Sequence, residues 1–68
     1  MDEQMIRLLH RIADAIRKAG FDPYEQITGY VRTGNELYIT RTDDARELIK
    51  QVDRVLLKDF AAYLKSKK

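Results

Sequence analysis

Apolar and polar positions change period twice along the chain, and the changes divide it into three parts. From Asp2 to Ala19, apolar residues fall at Met5, Leu8, Leu9, Ile12, Ile16 and Ala19, mostly at steps of three and four. That spacing lays them on one helix face. Asp2 and Glu3 open the segment and Arg17 and Lys18 close it, the arrangement a helix dipole favours. Gly20 follows, the residue that most cheaply closes a helix in the left-handed conformation. A first helix is therefore predicted over residues 2–19. Ile6 and Ala13 lie off the main stripe and are expected to form a second apolar surface facing a partner subunit. His10 is expected on the helix flank, partly exposed.

The middle third reads GFDPYEQITGYVRTGNELYITRTDDAR and holds all three glycines, the only proline and three of the four tyrosines. Such a density of backbone-shaping residues predicts a specified shape, and specified shape serves contact. Asp22 is a good N-cap and Pro23 suits the first helical position, where a missing N–H costs nothing. Phe21 is placed to fold back on Ile27 or a neighbour as a hydrophobic staple. The second helix should run from Pro23 to Thr33, with Ile27, Tyr30 and Val31 on its buried side. Gly34 ends it and Asn35 tolerates the turn. Gly29 inside this helix costs about 1 kcal/mol against alanine. Either the fold tolerates it, or the first helix or a second subunit packs too close for a methyl group; close approach is the preferred reading. Leu37-Tyr38-Ile39-Thr40 has strand-like residues without a second strand to pair with. It is expected to be an extended connector, or to pair with its own copy across a dimer axis, with Tyr38 and Ile39 on opposite sides. Ile27, Gly29, Val31 and Ile39 are the candidate dimer or close-packing residues.

The last third returns to helical spacing. Thr42 reads as an N-cap with Asp43 and Asp44 in the first turn, and Thr40 with Asp43 is a rival cap. Ala45, Leu48, Ile49, Val52, Leu56, Phe60 and Leu64 hold one phase, which allows a single long helix. A break near Val52 to Arg54, capped by Asp53, is preferred because a rod that bends back buries more area. Arg46, Lys50, Arg54 and Lys58 recur at every fourth position as a basic stripe beside the apolar one. Glu47 and Asp53 lie close enough to screen it, so a solvated face is the competing reading. The fold class expected is all-α: three to four short helices with an irregular extended connector, as one domain over residues 1–68.

Composition narrows the function. A chain of 68 residues buries only about 60% of its unfolded surface. A core this small supplies roughly 3–5 kcal/mol. Cysteine is absent and there is one histidine, so neither disulfides nor a metal cluster can add to it. Self-association remains, and a homodimer is expected. Thirteen basic residues against eleven acidic ones leave a formal charge of +2, too little to imply nucleic acid by charge alone. No apolar run is long enough for a membrane span, and MDEQ lacks the start of a signal peptide. Cytoplasm is the expected location. Catalysis fails on inventory: the only serine lies in the terminal KSKK, which is expected to fray, and no nucleophile stands beside a base. The Asp43-Asp44 pair points about 100° apart if helical, poor geometry for sharing a substrate. No cofactor or metal site is expected, and the chemistry points to binding.

The residues Gly20-Phe21-Asp22-Pro23, Gln26-Ile27, Gly29-Tyr30, Thr33-Gly34-Asn35, Tyr38-Ile39, Arg41, Ala45-Arg46, Ile49 and Asp53-Arg54 carry a resemblance. Their order and spacing are similar to the signature of the IreB family, its ReoM branch included. In outline that signature is G-Y-N-P-x-x-Q-I-x-G-Y-x-x-S-G-D-x-x-Y-I, then Arg or Ser, and A-R-x-x-I-x-x-x-E-R. The register holds without gaps from the first helix to Arg54 and more loosely to Leu64. The resemblance implies a small, helical, homodimeric cytoplasmic regulator of Gram-positive bacteria. It implies as partners a PASTA-repeat Ser/Thr kinase, a MurA-type enolpyruvyl transferase at the start of peptidoglycan synthesis, and the protease machinery that turns it over. It also implies that Arg41 and Arg46 belong to the partner-binding surface. With Tyr30, Tyr38 and Arg54 they make up the candidate set, and guanidinium groups suit it through bidentate bonds to carboxylates.

Two departures from the pattern stand out. Family members carry phosphorylated threonines on an N-terminal arm, whereas here the sequence starts almost at the first helix and its first threonine, Thr28, falls inside the second. Phosphorylation control is expected to be altered or to rest on residues outside this sequence. The family's acidic final helix is replaced by VLLKDFAAYLKSKK, with Val55 and Lys58 where acids are usual. That change implies a different partner or a paralogue with a different task. The alternative class is a nucleic-acid reader, since the second helix, a turn and the Asp43 segment follow a helix-turn-helix order. The long connector and the leading aspartates argue against it. As surface residues, Arg41 and Arg46 are both expected to tolerate alanine without loss of fold.

Overall fold

The computed structural model describes residues 3–66. The expectations for Asp2, Lys67 and Lys68 lie outside the described residues. Four α-helices form, with no strand among the described residues: α1 Glu3–Lys18, α2 Pro23–Thr33, α3 Ala45–Ile49 and α4 Arg54–Ser66. Two 3-10 turns, Glu36–Tyr38 and Thr42–Asp44, punctuate the connector between α2 and α3.

Each helix boundary has a local cause. At the end of α1 the Gly20 amide donates to the Arg17 carbonyl at 2.9 Å and the Phe21 amide to Ile16 at 3.1 Å. Gly20 has φ +90°, so the pair of bonds is a Schellman closure around a left-handed residue. Asp22 then caps α2, its Oδ1 accepting from the Tyr24 amide at 2.9 Å, with Pro23 in the first turn. Phe21 stays 54% exposed and is not packed on the core, so the expected staple against Ile27 is not what fixes the start of α2. Gly34, at φ +72°, ends α2 and donates to the Tyr30 carbonyl at 2.7 Å. The break in the last third falls where the sequence put it. Asp53 caps α4, accepting from the Val55 amide at 2.7 Å through Oδ1. Lys65 and Ser66, expected to fray, belong to α4.

The start of α3 differs from expectation. Neither Thr42 nor Thr40 caps it; instead Asp43 and Asp44 sit in the left-handed region at φ 49° and 63°. Aspartate is among the few residues that visit this region routinely. Asp43 adds an exposed contact to Lys18 at 3.3 Å. The resulting α3 spans five residues, far too short to lie in a groove as a recognition helix, so the helix-turn-helix reading loses its reading element.

The core closes within one chain. Leu9, Ile12, Ile16, Ile27, Ile39, Ile49 and Leu57 are all below 2% exposed or at it, and the Cα radius of gyration is 10.5 Å. A compact chain of this length should have about 11 Å. The α2 helix lies on α4, and α1 rests on α3 and α2. Ala13 is fully buried in this core, so it is not part of a second surface for a partner, whereas Ile6 remains 39% exposed. Leu57 and Ala61 join the core although they lie off the expected stripe. The break before α4 rotates the helix phase and turns these two inward.

Within the chain, the close neighbour of Gly29 is the connector and not the first helix. A Cβ built there would stand 2.5 Å from Cδ1 and 3.0 Å from Cγ of Tyr38. The Tyr38 ring of the connector therefore occupies the space that a side chain at Gly29 would need. Gly29→Ala should displace that ring and lower stability by about 1–3 kcal/mol. In a Tyr38→Ala background the same change should instead stabilise by up to ~1 kcal/mol, the ordinary helix preference of alanine. Urea unfolding of the four proteins checks this; equal losses in both backgrounds would contradict the contact.

Candidate partner-binding surface

The connector from residue 34 to residue 44 has no ladder to satisfy its backbone, so its polar groups must be accounted for one by one. Asn35 Oδ1 accepts from the Leu37 amide at 2.9 Å, and the Asn35 carbonyl accepts from Tyr38 at 3.2 Å. The Ile39 amide donates to the Glu36 carbonyl at 3.0 Å. Beyond it the chain is extended, with Ile39 at φ −107° and ψ 132°. Ile39 points into the core at 1% exposure while Leu37 and Tyr38 stay 69% and 48% exposed.

The peptide bond between Ile39 and Thr40 is held from both sides. Arg46 Nε, on α3, donates to its carbonyl at 3.0 Å. Gln26 Oε1, on α2, accepts from its amide at 2.9 Å. Two side chains thus supply what neighbouring strands would supply in a sheet. Glu36 adds a contact to Lys50 at 2.6 Å, and Lys50 also reaches Glu47 at 3.4 Å. The hydrogen bond from Lys50 holds the Glu36 carboxyl below its ordinary pKa, and the same bond raises that of Lys50. Both groups are well exposed, so the pair orients the connector more than it stabilises the fold.

These contacts sort the candidate residues. Arg46 is half-buried and committed to the Ile39 carbonyl, which corrects the expectation that it is a dispensable surface residue. Arg54 donates through Nη2 to the Val31 carbonyl in the last turn of α2, where a cation is favoured. Lys50 is engaged by two carboxylates, so the expected basic stripe is split between two helices and largely occupied. Arg41 is different: it is exposed, and its guanidinium makes no hydrogen bond or ion pair among the described residues. It shares a shallow cleft with Glu36, Asp44, Arg46 and Glu47. Tyr30 is half-buried at the core edge and Tyr38 covers Gly29. Of the close-packing set, Ile27 and Ile39 lie in the core of the single chain and Val31 packs half-buried against it.

A family model described as IreB regulatory phosphoprotein matches residues 1–65. The chain belongs to the IreB family. Its members are thereby regulatory proteins, and the fold just described is the all-α frame of this IreB protein. Among the described residues no helix is long and apolar enough to cross a membrane. No three His, Asp or Glu side chains among them converge as a metal site. His10 is exposed and lies edge-on to the rings of Phe60 and Tyr63, at 5.6 and 6.4 Å between centroids.

Two residues of the surface escaped the sequence reading. Leu37, the most exposed large apolar side chain among the described residues, stands beside Tyr38 and carries no signal beyond its apolar character. Gln26 was visible only as a position of the family signature, since its bond to Thr40 spans fourteen residues.

The division between arginines is measurable. Arg46→Ala should cost about 1.5–3 kcal/mol, because an ionised donor is lost from a carbonyl beside a buried residue. Arg41→Ala should change stability by less than ~0.5 kcal/mol. Denaturant titration of both variants is the check, and a loss at Arg46 as small as at Arg41 would refute its structural role.

Proposed function

We propose that this IreB protein is a non-enzymatic adaptor that acts by protein–protein contact through the connector face. The observation that carries this reading is the exposed run of Leu37 and Tyr38 followed by Arg41, a guanidinium with no partner among the described residues. Exposed aromatic and arginine side chains are the types that dominate binding energy at protein interfaces. Arg46 contributes by fixing the shape of that run, and Arg54 by closing the end of α2 on which it rests.

The family resemblance supplies the finer reading. The protein acts in the cytoplasm as a homodimer, downstream of a PASTA-type Ser/Thr kinase, and influences proteolytic turnover of a MurA-type enolpyruvyl transferase. The exposed Ile6, Val55 and Tyr63 are apolar enough to serve self-association. Thr28 is a poor phosphoacceptor in the folded chain, because its hydroxyl oxygen is buried.

Binding of the purified protein to a MurA-type transferase and to its protease, measured by calorimetry, tests the proposal. Arg41→Glu should weaken capture of at least one of them tenfold or more while leaving thermal unfolding unchanged. Undiminished capture by a folded Arg41→Glu protein would exclude the connector face.

A further inference from the structure

The opposite side of α2 carries a second surface built from different residues. Between α2 and α4 runs an open groove of about 420 Å³. Its rim carries Arg32 from α2 and Lys58 and Lys65 from α4, and none of its lining residues is acidic. Small side chains make the floor, Thr28, Ala61 and Ala62 among them, so the space is left by the sequence itself. Arg32 and Lys58 form no ion pair among the described residues, and Lys65 only hovers 5.9 Å above the Tyr24 ring. Asp59, next to Lys58 in the chain, lines the cleft on the other side of α4 and does not neutralise this one.

Thr28 lines the floor with its hydroxyl oxygen turned out of reach of solvent. Its Oγ1 is buried without a hydrogen-bond partner, the one such side-chain atom among the described residues. Lys58 and Lys65 are two helical turns apart on one face of α4, about 10 Å along its axis. The groove therefore offers positive charge at both ends of a narrow floor of small, mostly apolar side chains.

We propose that the groove between α2 and α4 docks an acidic segment of a partner protein. Two carboxylates of that segment, spaced about two helical turns apart, meet Lys58 and Lys65, Arg32 reinforces the pair, and an apolar side chain between them settles over Ala61 and Thr28. Charge complementarity selects the occupant: three cations and no acid line the site, on a chain whose formal charge is only +2. The small floor fits a side chain better than a stacked base, since its one aromatic ring, Tyr24, already lies under Lys65. This surface shares no residue with the connector face, so either can fail alone.

The probe is a fluorescein-labelled helical alanine-rich peptide carrying two glutamates seven residues apart with a leucine between them. Fluorescence anisotropy with the full chain should show it binding at least tenfold tighter than its glutamine counterpart. Binding should weaken as salt rises. Arg32→Glu and Lys58→Glu should each cost fivefold or more, and Arg32→Gln and Lys58→Gln smaller losses, with circular dichroism confirming the fold. Arg41→Glu, an equal change of net charge on the other surface, should leave affinity within twofold. Equal affinity for the glutamate and glutamine peptides would overturn the proposal, as would binding indifferent to both groove reversals. Mixed-sequence duplex DNA or phosphatidylserine vesicles binding tighter than the peptide, and released by the same reversals, would overturn it in favour of a phosphate ligand.

Discussion

The peptide bond between Ile39 and Thr40 is the constraint on which the rest of the structure turns. Burying Ile39 completes the core, but it carries the flanking backbone away from water. A buried carbonyl or amide left unpaired costs about 1–3 kcal/mol. In a sheet, adjacent strands would answer both groups; here Gln26 and Arg46 do so from two different helices. That solution fixes α2 and α3 on either side of the connector. It also dictates what the connector shows to solvent. With Ile39 inward, Tyr38 must turn outward, and the absence of a side chain at Gly29 lets its ring lie against α2.

Much of this fold can be read from the sequence, because its boundaries are chemical. Asp22-Pro23, Gly20, Gly34 and Asp53 each act within a few residues, and each produces the start or stop that its chemistry implies. The strand-like character of Leu37 to Thr40 was only partly a true signal: Leu37 and Tyr38 wind into an exposed 3-10 turn, and the backbone is extended at Ile39, the residue that is buried. What could not be read depends on distance or on phase. Arg46 looks like an ordinary surface arginine until Ile39, seven residues away, is folded under it. Leu57 and Ala61 appear peripheral on a continuous rod and become core once α4 starts afresh at Arg54. Asp43 and Asp44 were plausible first-turn acids, but the chain must reverse there, and the left-handed pair makes the reversal.

The candidate site was legible in its residue types and less so in their roles. Arginines near a tyrosine-rich turn suggest contact with a partner, and the IreB match places the chain among regulatory proteins. The structure divides their work. Arg46 and Arg54 are anchored on backbone carbonyls, Lys50 on carboxylates, and Arg41 is left with no partner of its own among the described residues. On the far side of α2, Arg32, Lys58 and Lys65 frame a groove that a linear reading of the charges does not reveal, since α2 and α4 meet only in the folded chain. A protein this small therefore presents two chemically distinct faces, one aromatic and one cationic, on opposite sides of a single helix.

Native-state amide exchange at Thr40 tests the central claim most directly. The Gln26 bond predicts that this amide exchanges orders of magnitude more slowly than that of Arg41, its neighbour. It also predicts that Gln26→Ala removes the difference while the amides of α1 stay protected. Thr40 exchanging as fast as Arg41 in the unaltered protein would contradict the account, because the connector would then be held by something other than the two side chains that flank the Ile39–Thr40 peptide.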